Sequence, residues 1–95
     1  MLAQPPKYKV DVFDMEQLDG KGSLKAFANV KVGKSLRVYG FRIIQQANQK
    51  AWVSPPQRSW KGDDGKTMYA PIVEVTGDLK AAIDEAVLNA WAEVV

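Results

Sequence analysis

Leu24-Lys25-Ala26-Phe27-Ala28-Asn29-Val30-Lys31-Val32 alternates without a break, and its reading decides the fold. Successive side chains of a strand point to opposite faces, so Leu24, Ala26, Ala28, Val30 and Val32 line an apolar face, with Lys25, Phe27, Asn29 and Lys31 behind it. Phe27 is then an aromatic on a basic face, to be covered by a loop or by a second subunit. Working outward, Asp19-Gly20-Lys21-Gly22 precedes the strand as a turn, because glycine takes positive φ without steric cost. Before that turn, residues 8 to 13 alternate, with Tyr8, Val10 and Val12 on one side, and read as a first strand.

After the central strand, Gly33-Lys34 turns the chain into residues 35 to 46. There Leu36 and Val38 share one parity and Phe41 and Ile43 the other, with Gly40 at the switch. One extra residue at Gly40 returns both sets to the core face, so a β-bulge is expected. Ala47-Asn48-Gln49 turns into a short strand over 50 to 54, which Pro55-Pro56 stops because proline supplies no ladder donor. Residues 57 to 66 are polar, basic and glycine-containing and read as an exposed loop with Asp64-Gly65 at its tip; residues 68 to 75 return as a strand.

Asp78 reads as an N-cap, and from Leu79 the apolar spacing turns helical. Leu79, Ile83, Ala86, Val87, Ala90, Trp91 and Val94 form one stripe at intervals of three and four. The expected fold is therefore α+β: an antiparallel sheet of about five strands with one C-terminal amphipathic helix. It forms a single domain over residues 1–95, with 1–7 frayed. One helix covers one face of such a sheet, so the other face and the edges are left to solvent or to a second subunit, and a homodimer is expected.

Composition bounds the function. The chain has 95 residues, too few for two conventional cores, and 46% hydrophobic residues, which is ordinary for a globular domain. Cysteine and histidine are both absent, which removes thiolate and imidazole metal ligands, the commonest general base and the usual nucleophilic dyads. No enzymatic activity and no cofactor are expected. The start of the chain lacks the apolar core of a signal peptide, and no run approaches the roughly 18 apolar residues of a membrane span, so a cytoplasmic protein is expected.

Net charge is only +2, but it is unevenly spread. Residues 21 to 66 hold ten of the basic residues against two acidic ones, Asp63 and Asp64. Those two aspartates, adjacent in a glycine turn, read as turn formers rather than as an acid/base pair. Gly20-Lys21-Gly22-Ser23 superficially resembles the end of a phosphate-binding loop, but that loop needs a glycine where Met15 stands and a helix where the long strand follows. The constellation that remains is Lys50, Trp52, Arg58, Trp60, Lys61, Lys66 and Tyr69, in which basic residues interleave with aromatics around Pro55-Pro56. Cations neutralise phosphates and an exposed ring stacks on a base. The competing reading puts Trp52 and Tyr69 in the core and leaves Trp60 alone exposed.

Several segments, in order, carry a resemblance to a known family. They are Asp19-Gly20 followed by residues 24 to 30, then Phe41-Arg42-Ile43-Ile44, then Ala70-Pro71-Ile72, and finally the helix from Ile83 to Trp91. With this spacing the chain resembles the stage V sporulation protein G (SpoVG) family of septation regulators. The resemblance implies a small dimerising sheet with a C-terminal helix, binding of DNA and RNA, and an effect on gene expression and on septum formation or sporulation. The family's basic loop carries two adjacent basic residues; here Arg58 matches one of them and Ser59 takes the second place. The resemblance carries binding to Arg58, and charge alone adds Lys61 and Lys66. The acidic tail of many relatives has no counterpart, so the resemblance does not extend to a tail-mediated function. The expectation is a weakly sequence-selective nucleic-acid-binding regulator, with Arg58, Lys61, Lys66 and Lys50 on phosphates and Trp60 stacked on a base. The alternative is a protein-interaction adaptor acting through a sheet edge.

Overall fold

In the computed structural model, which describes residues 8–19 and 22–95, six strands precede one helix. They are β1 (Val10–Gln17), β2 (Leu24–Val32), β3 (Leu36–Ile44), β4 (Trp52–Ser54), β5 (Gln57–Lys61) and β6 (Thr67–Pro71), followed by α1 (Gly77–Val94). The expected fraying of residues 1–7 and the Gly20-Lys21 portion of the first turn lie outside the described residues. The class is α+β, but the strands divide into a four-stranded antiparallel sheet, β1-β2-β3-β4, and a separate two-stranded sheet, β5-β6.

The central strand behaves as its alternation dictates. Ala26, Ala28 and Val30 of β2 are fully buried, and Phe41, Ile43 and Val53 join them on the same face. Helix α1 lies across that face with Ile83, Val87 and Trp91, spaced four apart, turned inward. Its start differs from expectation. Thr76 is the N-cap, and Asp78 sits inside the first turn, where its carboxylate faces the positive end of the helix dipole. Val94, expected in the buried stripe, is exposed because the core closes at Trp91.

Of three register shifts in the four-stranded sheet, one lying between Leu24 and Ala26 of β2, the two bulges either side of Asn29 shape the opposite face. In β3, Val38 pairs with Val30 and Phe41 with Ala28, so Tyr39 and Gly40 together oppose Asn29. Gly40 takes φ 91°, a left-handed conformation that favours glycine, and the parity switch reaches the core face as expected. The second bulge was not expected. In β1, Val12 pairs with Val30 and Asp14 with Asn29, leaving Phe13 as the extra residue and carrying the strand on to Gln17 with Met15 against the core. Asn29 ties the two bulges together: its Oδ1 accepts the Gly40 N–H at 3.0 Å and its Nδ2 donates to Asp14 Oδ2 at 3.3 Å.

The loop expected over residues 57 to 66 is instead largely strand, and the strand expected to reach Val75 ends at Pro71. The cause lies at Pro55-Pro56. The β3–β4 ladder ends at Arg42↔Ser54, and the next two steps of that register would set Pro55 opposite Phe41 and Pro56 opposite the bulged Gly40. Proline has no N–H to give, so pairing stops and the chain leaves the sheet. Beyond it, β5 pairs with β6 alone, in register from Gln57↔Pro71 to Lys61↔Thr67.

Candidate nucleic-acid interface

The β5-β6 hairpin stands off the body as an arm. The molecule extends 56 Å along its long axis, and its radius of gyration is 15.1 Å, against about 12 Å for a compact chain of this length. At its root, Pro56 is buried beside Gly40 and its carbonyl accepts the Ile72 N–H at 3.0 Å, so both strands are fastened at one point. At the tip, Gly62 N–H donates to Lys66 O at 2.8 Å and Gly65 N–H to Gly62 O at 3.0 Å, with Gly65 at φ 82°. This is the pattern of a three-residue hairpin loop ending on a left-handed glycine. Asp64 Oδ1 accepts the Lys66 N–H at 3.0 Å, which gives that carboxylate the turn-forming role its sequence suggests.

Directly opposed residues share a face of a ladder, so Arg58, Trp60, Met68 and Ala70 lie on one side of the arm. The Arg58 guanidinium sits over the Trp60 ring, 4.8 Å from its centroid, which fixes a cation against an exposed flat surface. Lys61 falls on the other side with Ser59 and Tyr69, and Lys66 stands at the loop. The arm therefore gathers Arg58, Trp60, Lys61 and Lys66. Lys50 is not among them, because it precedes β4 at the end of that strand away from Pro55-Pro56.

Trp60 is 43% exposed, Trp52 52% and Tyr69 62%, so none of the three is a core residue. For Trp52 the reason is parity: Val53 takes the buried face and its neighbours turn the other way. Sequence reasoning passed over a second aromatic group, Phe13 and Tyr39 with Arg37, on the face of the four-stranded sheet that α1 leaves uncovered. The Phe13 and Tyr39 rings meet edge-on at 5.6 Å and 81°, and the Arg37 guanidinium lies 5.3 Å from the Phe13 centroid. The parity switch at Gly40 was the available signal for Tyr39, since it sends that residue to the face of Lys25, Phe27 and Lys31. In the next row of that face, Arg42 Nη2 donates to Ser54 Oγ at 3.0 Å, while its Nε is enclosed without an acceptor among the described residues.

Among the described residues, no helix is long and apolar enough to cross a membrane. The SpoVG family model matches residues 7–93, nearly the whole chain. A relative from Archaeoglobus fulgidus, named "Putative septation protein SpoVG", is 31% identical over 74 residues, spanning 78% of this chain and 82% of the relative. A match of that extent, over a fold of the kind the resemblance implies, places the chain in the SpoVG family.

Proposed function

We propose that this chain is a nucleic-acid-binding regulator of the cytoplasm, acting on gene expression and on septum formation or sporulation, and that it makes no covalent change in its ligand. The observation that carries the reading is the Arg58–Trp60 pair on an exposed two-stranded arm that also bears Lys61 and Lys66. A two-stranded ribbon has the cross-section that the major groove admits, and its cations neutralise phosphates on either side. The name of the Archaeoglobus relative supports the septation role. A homodimer fits the exposed apolar groups Met68, Tyr69 and Ile72 and would present two arms to one ligand, raising affinity through effective concentration.

The test is binding of fluorescent single-stranded DNA, duplex DNA and RNA at two salt concentrations, for the wild type and for Arg58→Ala/Lys61→Ala. Affinity should fall with salt at a logarithmic slope of about −0.7 to −0.9 per neutralised phosphate, and the double variant should bind more weakly with a shallower slope. Equal affinity in the double variant removes the arm from the interface. A second reading, a protein-interaction adaptor, draws on the two outer edges of the β5-β6 sheet, whose backbone groups pair with no further strand among the described residues. Association of that kind would persist at high salt.

A further inference from the structure

We propose a second nucleic-acid site, on the open face of the four-stranded sheet, that takes an unpaired strand by stacking a base on Tyr39. It rests on the nucleic-acid reading above but uses none of the arm residues. Tyr39 is 59% exposed, although a lone tyrosine on a sheet is ordinary. What distinguishes this one is how it is held. The Gly40 bulge brings it to the open face, and the β1 bulge brings Phe13 up from the other side. Asn29 pins both bulges from the strand between them, so the two rings meet above it. Bulges are a common means of re-aiming a side chain, and here two of them converge on one aromatic pair. The edge-on contact with Phe13, itself capped by Arg37, leaves the Tyr39 ring set in place before any ligand arrives.

The charge around the pair favours a polyanion on one side. Lys31 and Arg37 are directly opposed on β2 and β3 in the row on one side of Asn29 and the Tyr39 bulge, and Phe27 and Arg42 form the row on the other. The carboxylates of this region, Asp11, Asp14 and Glu16, lie on the edge strand β1. A phosphate backbone is thereby drawn over β2 and β3 and repelled from the β1 edge. A flat sheet face cannot enter a groove, and a duplex encloses the faces of its bases, so the ligand this surface fits is a single strand of DNA or RNA.

The experiment compares Tyr39→Ala, Tyr39→Leu and Tyr39→Phe with the wild type, using a short unstructured single strand and its duplex as labelled probes. Circular dichroism and sedimentation follow fold and oligomeric state. Loss of one stacked base should weaken single-strand binding by roughly 5- to 150-fold in the Ala and Leu variants and leave duplex binding unchanged; Tyr39→Phe should bind as the wild type does. The leucine variant keeps apolar bulk on the face, so loss there reports the missing ring rather than lost packing. If the Ala and Leu variants bind single strands normally while Arg58→Ala/Lys61→Ala does not, the platform is refuted and the arm reading stands. A change in oligomeric state with unchanged strand affinity would assign the face to a second copy of the chain and overturn the proposal. If the wild type binds neither probe, both readings fall together.

Discussion

Replacing Asn29 by alanine tests the link on which the open face depends. The side chain makes two bonds of unequal weight. The Gly40 N–H donates to it at 3.0 Å in a partly buried setting, and deleting the acceptor leaves that donor without a partner, at a cost of about 1–3 kcal/mol. The Asp14 contact is longer, 3.3 Å, and exposed, so water replaces it at a cost of a few tenths of a kcal/mol. Together they set the expected loss at about 1–3 kcal/mol, and at roughly 4–8 °C per kcal/mol for a domain of this size the melting temperature should fall by about 4–24 °C. Urea unfolding at one fixed protein concentration gives the measurement. Trp91, only 8% exposed within the core, contributes the fluorescence that changes on unfolding. The midpoint should drop with the denaturant slope unchanged. Asp14→Ala is the reference, with a loss under about 0.5 kcal/mol. If Asn29→Ala proves no worse than Asp14→Ala, the backbone alone holds the bulges and the reasoning about Asn29 is wrong.

Three further outcomes follow from the same geometry. Ile83→Ala, at a position only 2% exposed beneath the sheet, should cost about 2–5 kcal/mol by chemical denaturation; a loss under about 1 kcal/mol would mean the helix is not seated as described. Gly40→Ala should cost about 1–2 kcal/mol through its backbone alone. The new methyl would meet the Pro56 Cβ at an ordinary 4.0 Å, and only a much larger loss would reveal a steric clash. Arg42→Met should change stability by less than about 1 kcal/mol, because it removes a buried Nε with no acceptor and keeps the apolar stem, while Ser54 Oγ retains the Pro55 carbonyl as acceptor; a loss beyond about 2 kcal/mol would point to an acceptor for Arg42 other than Ser54.

The central strand, the Gly40 bulge and the helix were legible in the sequence because each is written as a period: two along β2, a phase change at one glycine, three and four along α1. The β1 bulge was not, since Phe13 is apolar and continues a plausible run, and the residue that fixes it, Asn29, is distant in the chain. The arm was misread for a different reason. Gln57-Arg58-Ser59-Trp60-Lys61 buries neither face, so it has no hydrophobic alternation to detect, and its strand character comes from cross-strand bonds and from the Asp64-Gly65 tip. The candidate site was legible in part: Arg58, Trp60, Lys61 and Lys66 were found by charge and aromatic content, and they do share the arm. Lys50 was grouped with them by proximity in the chain, which β4 and the proline pair undo. The Phe13–Tyr39 pair joins residues on two strands that are not paired with each other, which no local pattern records.

The root of the arm has a consequence for how this molecule can change. Because β5 and β6 take their ladder bonds from each other and meet the body chiefly at Pro56, opening of the arm need not disturb the core, and its amides should exchange with solvent on a separate, faster schedule from those of β2 and β3. The same separation makes the arm a module: substitutions along it can retune what is gripped while the core that holds the molecule together stays as it is.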